Sequence, residues 1–211
     1  MFPTEPERSV YNNALLHHGL GPADRTEAVD AMEATYASAG VGRFAAWVHE
    51  TDGAMRAELA GRGYTVDTST RAMGMATGDV RLPRPQIDLA SPDWSAYLRL
   101  LAFDGGPPGL LSGAHPSAFH VLIARLHGED VAAALAFDVG GDRGIYNVGT
   151  LPHARRRGLG TALTALLVHD AAARGCRTAS LQSTPMGERV YAAVGFRDLG
   201  RILEYVPPAA A

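Results

Sequence analysis

Ile145-Tyr146-Asn147-Val148-Gly149-Thr150-Leu151-Pro152 runs directly into His153-Ala154-Arg155-Arg156-Arg157-Gly158-Leu159-Gly160 and then into an apolar stretch that stops at Gly175. The β-branched and aromatic first segment predicts a strand. Pro152 ends its ladder, because it has no N–H to donate. Three arginines and two glycines then fill a tight turn, and a helix begins at once. A helix N-terminus presents unpaired N–H groups and a partial positive charge. Glycines let the backbone come close to a phosphate, and arginines add charge and forked donors. The layout is that of an anion site.

Two common phosphate loops are excluded. A Walker loop needs Gly-x-x-x-x-Gly-Lys-Ser/Thr, and a dinucleotide fingerprint needs Gly-x-Gly-x-x-Gly; neither occurs here. Arg155 to Gly160 instead fits Arg/Gln-x-x-Gly-x-Gly/Ala, set between a strand and a helix. A second landmark, Tyr191-Ala192-Ala193-Val194-Gly195-Phe196, follows the strand-like Thr178 to Gln182.

On these two motifs, residues 86–211 resemble the GCN5-related N-acetyltransferase (GNAT) superfamily. The resemblance implies an α/β (α+β) acyl-CoA N-acyltransferase fold, a mixed central sheet flanked by helices, with acetyl-CoA as cosubstrate. It implies that Arg155, Arg156, Arg157, Gly158, Leu159, Gly160 and Thr161 hold the coenzyme diphosphate, chiefly through backbone N–H groups. It also implies that backbone groups of Val148 and Thr150 pair with the pantetheine arm, and that Tyr191 is the general acid for the departing thiolate.

Composition bounds the rest. The chain has 211 residues, 46% of them hydrophobic, a formal net charge of −3 and one cysteine. That size allows one large domain or two small ones. The mild negative charge argues against nucleic-acid binding. A single cysteine permits no internal disulfide, and Cys176 reads as a small buried residue. With no run of 18 apolar residues and no export signal in the first residues, the expectation is a cytoplasmic protein without a membrane partner. No His/Cys grouping has metal-ligand spacing, so no metal is expected; His17-His18 reads as a solvated helix end.

In the second half, Ser91-Pro92 predicts a helix start with Ser91 as cap. Phe119–Leu126 and Val131–Asp138 predict a hairpin, although the run Ala132-Ala133-Ala134 has low strand propensity. Residues 104–116 read as a loop, and Ser183-Thr184-Pro185 as the cap of the helix that carries Tyr191. In the first half, a short helix is expected around Val10 to Leu16. Asp24-Arg25-Thr26-Glu27 resembles a capping box. Helix Thr26–Ala39, strand Arg43–His49, helix Asp52–Ala60 and the extended segment from Tyr64 then repeat the order of elements seen after Gly158. The inference is a partial second GNAT-like unit, degenerate because Gly19-Leu20-Gly21-Pro22 stands where a phosphate loop belongs and carries no arginine. The expected domains are 1–80 (degenerate half), 81–90 (linker) and 91–211 (acetyltransferase).

The expected reaction moves an acetyl group from acetyl-CoA to a primary amine by direct attack in a ternary complex. An alkyl amine is mostly charged at neutral pH, so a base or a desolvating site must free it. His115, His120, Asp138 and Asn147 with a water are the candidates, and the sequence does not choose among them. A backbone N–H near Val148 to Thr150 could stabilise the developing oxyanion. The alternative is a catalytically inactive acyl-CoA-binding sensor or assembly module. Small-molecule and peptide amines both fit as acceptors, and monomer and homodimer both remain open.

Overall fold

The computed structural model describes residues 12–103, 111 and 114–208. In chain order the elements are β1 (Asn13–Leu15), α1 (Pro22–Ser38), β2 (Ala45–His49), α2 (Gly53–Gly61), β3 (Thr65–Ala76), α3 (Trp94–Phe103), β4 (His120–Leu126), β5 (Glu129–Val139), β6 (Asp142–Thr150), α4 (Leu159–Ala173), β7 (Thr178–Ser183), α5 (Glu188–Val194) and β8 (Arg197–Val206). They fall into two compact units: residues up to Arg71 together with those from Gly200 on, and residues Ala72–Leu199. The division differs from the expected bounds, because residues from Gly200 on fall in the first unit. No described helix is long and apolar enough to cross a membrane.

In the first unit, β1 runs parallel to β2, and β2 pairs antiparallel with Ile202 to Tyr205 of β8. Residues 13–15 are thus strand, not the expected helix. Their ladder partner lies some thirty residues away, so local pattern could not show it. His17 and His18 accordingly follow a strand, and His18 Nε2 lies 3.2 Å from Thr51 Oγ1. Helix α1 starts at Pro22, earlier than the capping box predicts, with Gly21 as a cap that offers no side chain. A proline at the first helical position has its φ already set. Val29, Met32 and Tyr36 are buried as their spacing predicts, and Tyr36 stacks on Phe44 at 4.3 Å. Asp52 caps α2 by accepting from Met55 N at 3.0 Å, and its other oxygen accepts from Gly19 N at 3.1 Å.

In the second unit, β4, β5 and β6 form an antiparallel meander, and β7 joins β6 in parallel. Two-residue turns make both hairpins: His127-Gly128 with φ of 54° and 84°, and Gly140-Gly141 with φ of 58° and 84°. Paired positive φ values match the right-handed twist of the flanking strands. The alanine run is a buried strand because helices cover both of its faces. Ala132, Ala134 and Ala136 share a cluster with Leu163, Leu166 and Leu167 of α4; Ala133 and Leu135 share one with Ala96 and Tyr97 of α3. Small side chains let both helices approach, and packing overrides propensity.

Helix α3 begins at Trp94, and Asp93 Oδ1 rather than Ser91 accepts from a first-turn amide, that of Ser95, at 2.9 Å. Residues 81–90, read as a linker, are fastened to this unit: Arg81 N donates to Val194 O at 2.9 Å, Ala90 N to Ile123 O at 2.9 Å, and Asp88 O accepts from Arg125 N at 2.8 Å. Most of the expected loop at 104–116 lies outside the described residues.

At the far end of α4 from the arginine loop, Arg143 is fully buried. Its Nε and Nη2 donate to Asp138 at 2.6 and 2.8 Å, its Nη1 to Leu167 O at 2.9 Å, and Arg174 Nε joins Asp138 at 2.9 Å. Arg143 holds the Asp138 carboxyl far below the usual carboxylate range, and Arg174 adds to this. A depressed carboxylate stabilises the fold above its unfolded pKa of about 4, and that share is lost as pH falls through the folded value. Asp138→Asn is therefore expected to cost about 3 kcal/mol at pH 7, since it strands a buried guanidinium. The gap to the parent in denaturant melts should narrow as pH drops below about 4.

Candidate active site

Strands β6 and β7 pair at only three positions among the described residues, Asp142↔Thr178, Arg143↔Ala179 and Gly144↔Ser180. Beyond them the ladder stops, so the side of β6 from Ile145 to Thr150 that faces β7 has no strand partner. On its other side β6 stays on β5, but with a shift: Ala133 faces Gly149 while Leu135 faces Tyr146. Three steps on β6 against two on β5 make a β-bulge. Within it Asn147 is left-handed, with φ of 51°. Val148 and Thr150, the residues expected along a pantetheine arm, lie on this parted stretch. The Thr150 carbonyl already accepts from Arg155 Nε at 2.9 Å, which ties the loop back to the strand that feeds it.

After Pro152–Ala154 the chain turns through Arg155, Arg156 and Arg157, all exposed. Arg156 and Gly158 are both left-handed, with φ of 64° and 79°. Gly158 is the N-cap of α4 and offers no side-chain cap. Ala162 N is the first amide to bond back into the helix, to Gly158 O at 2.9 Å. The amides of Leu159, Gly160 and Thr161 therefore have no intrahelical partner and face out of the N-terminus. Three exposed arginines precede them in the chain, and free amides at a helix N-terminus are the chemistry that suits a phosphate or diphosphate.

Tyr191 is on α5, half-buried against the α4 core. Its ring meets Phe196 edge-on at 6.2 Å. Burial pushes its phenol above the ordinary value of 10, so the hydroxyl stays protonated at neutral pH. Helix α5 begins at Glu188 with Gly187 as cap, so Ser183 does not cap it; Ser183 Oγ donates to Thr184 O at 2.8 Å instead. A methyl group on Gly187 would lie 2.8 Å from Ser183 Oγ and 2.9 Å from Tyr191 Cε2. Gly187→Ala is thus expected to displace the Tyr191 ring. It should lower turnover about tenfold or more while coenzyme affinity holds; steady-state kinetics beside calorimetry would check this.

One position joins the three parts. A methyl group on Gly160 would lie 3.8 Å from Val148 Cγ1 on β6 and 3.9 Å from Val190 Cγ1 on α5, the neighbour of Tyr191. The helix N-terminus, the parted strand and the tyrosine helix thus converge. Residues 84–196, over half of the chain, match the model of the Acetyltransferase (GNAT) family. The chain belongs to this family. Its fold is similar to that of a GCN5-related N-acetyltransferase from Kribbella flavida, at a TM-score of 0.71 and 20% identity over 94% of this chain and 82% of that one. A GCN5-related N-acetyltransferase from Sphaerobacter thermophilus gives a TM-score of 0.64 at 17% identity, covering 97% and 76%. A conserved protein of unknown function from Staphylococcus epidermidis ATCC 12228 gives 0.66 at 10% identity, covering 100% and 90%. No curated protein sequence matches the chain.

The candidate bases of this GNAT chain are scattered. Asp138 is held by Arg143 and Arg174 near the C-terminal end of α4, a helix about 22 Å long whose other end carries the loop. His120 is near the same end, with Nε2 3.5 Å from Asp170, and burial pushes its imidazole below the ordinary value. His115 is exposed, its Nδ1 2.7 Å from Ser117 Oγ. Asn147 alone lies on the β6 wall, and its Nδ2 donates to Tyr97 Oη at 3.0 Å. Sequence reading missed Tyr97 as part of this wall, because nothing local links it to a residue fifty positions on. Cys176 is buried, and that burial raises its thiol pKa.

Proposed function

We propose that this GNAT chain is an N-acetyltransferase that moves an acetyl group from acetyl-CoA to a primary amine in a ternary complex. The convergence at Gly160 of a helix N-terminus, the parted stretch of β6 and the helix that bears Tyr191 carries this reading. Each part answers one need of the reaction.

Bound acetyl-CoA would supply the diphosphate anchor and the activated acyl group. The amides at the start of α4 and the guanidiniums of Arg155–Arg157 would hold the diphosphate. Backbone N–H and C=O groups along Val148–Thr150 would take up the polar pantetheine arm as a strand does. An N–H of that segment would stabilise negative charge on the acyl oxygen. Tyr191 Oη would give its proton to the departing sulfur, a role that suits a phenol kept neutral by burial, and the attacking nitrogen would lose its proton to water. No covalent enzyme intermediate is needed, and Cys176, buried and protonated, takes no part. The first unit, whose Gly19 amide already bonds Asp52 and whose α1 start has no arginine cluster, would be a degenerate GNAT-like half without a coenzyme site of its own.

The deciding experiment follows CoA thiol release by the full chain with a panel of polyamines, aminoglycosides, amino acids and peptides. Amine-dependent release supports the enzyme. Tight acetyl-CoA binding without release on any amine would instead favour the inactive binding module.

A further inference from the structure

Asn147 is a non-glycine residue in the left-handed region, with φ of 51°, in the middle of the β6 bulge. That conformation is unfavourable for an L-residue, less so for asparagine than for most. In the middle of a strand it calls for support from the surrounding structure. The holder is visible: Asn147 Nδ2 donates to Tyr97 Oη at 3.0 Å. Tyr97 is 1% exposed and its ring stacks on Trp94 at 5.3 Å, so the acceptor oxygen is itself fixed by packing. The bulge changes which way the groups of Val148 point, since an extra residue in one strand shifts all that follow it.

We propose that Tyr97 is a positioning residue for the acyl-transfer site: it pins Asn147 left-handed, and the pinned bulge turns the Val148–Thr150 backbone toward the reacting group. This rests on the acetyltransferase reading for its consequence, though not for its geometry. Tyr97 touches no reacting atom. It acts through the backbone of the neighbouring strand, from a helix on the other face of the sheet.

The test is a double-mutant cycle with a rescue arm, using the full chain. Tyr97→Phe and Asn147→Ala should each lower kcat for CoA release about tenfold, the size of one lost hydrogen bond. KM for acetyl-CoA should stay within about twofold, because the arginine loop and its helix N-terminus are untouched. The double variant should fall no further than Asn147→Ala alone, since both changes cut the same tether. Asn147→Gly should recover most of the Asn147→Ala loss, because glycine adopts positive φ without cost. Independently of turnover, the backbone carbon shifts of Asn147 in Tyr97→Phe should lose their left-handed signature. A retained signature, or an unchanged kcat in Tyr97→Phe, overturns the proposal. A parent chain that releases no CoA with any amine overturns the acetyltransferase reading instead, and the Asn147 shifts then judge the tether alone.

Discussion

Gly158→Val is expected to weaken acetyl-CoA binding by more than about a hundredfold, some 3 kcal/mol, with the second unit still folded. The reason is conformational. Gly158 has φ of 79°, and a methyl group placed on it would meet no atom within 4 Å. Space is therefore not the obstacle; a β-branched residue simply does not occupy that region of φ/ψ without strain. Relief would come by rotating the loop, which moves Arg155–Arg157 relative to the free amides of Leu159, Gly160 and Thr161. Gly160 fails differently. Its φ is ordinary, and a single methyl would sit at van der Waals distance from Val148 and Val190. Gly160→Ala should therefore be tolerated, with affinity within about threefold, because alanine also suits a helix better than glycine. The further methyls of Gly160→Val have no room between Val148 and Val190 and must project across the first-turn amides, so binding should be lost. Calorimetric titration with acetyl-CoA, paired with thermal melts, separates these outcomes. Wild-type affinity in both valine variants would place the diphosphate elsewhere on the molecule.

That contrast also shows what the amino-acid order could and could not reveal. The loop was legible because its chemistry is local: a strand end, a proline, charge, two glycines and a helix start lie within sixteen residues, and geometry follows from their order. The same holds for α4, β7, α5 and the hairpins, each announced by its own spacing or turn residues. Elements that depend on a distant partner were misread. Residues 13–15 become strand only through β2. The alanines of β5, by contrast, were read as strand against their propensity, and they are acceptable there because α3 and α4 cover both its faces. Asp93 displaces Ser91 as a cap through one amide contact that spacing does not distinguish. In the candidate site, the arginine loop and its helix N-terminus were visible, but the tether between Tyr97 and Asn147 was not. A hydrogen bond across fifty positions leaves no trace in either neighbourhood. Neighbourhood alone also could not sort the carboxylate and histidine candidates, which the fold ties up in ion pairs and hydrogen bonds.

Tyr191→Phe should reduce kcat about a hundredfold, the lower range for a positioned general acid, and leave acetyl-CoA affinity unchanged. The substitution removes one oxygen and keeps the ring that packs on Phe196. Fold and coenzyme site are thus preserved, and the loss isolates proton transfer. The pH dependence adds a second constraint. Burial raises the Tyr191 pKa, so the neutral phenol, the form that can donate, is retained past the ordinary phenol value of about 10. An acceptor amine with a pKa near 10.4 becomes a better nucleophile over the same range. The parent rate should then climb with pH and show no descending limb below about pH 10. A limb falling near neutrality would assign the acid to a different group. An unchanged kcat in Tyr191→Phe would remove the phenol from the reaction altogether and leave water, or a residue on the β6 wall, to protonate the thiolate. Because Tyr191 and the loop glycines act on different steps, the two sets of variants discriminate between readings. Loss of binding in one and loss of turnover alone in the other is the pattern an acetyltransferase must give. A binding module would show only the first.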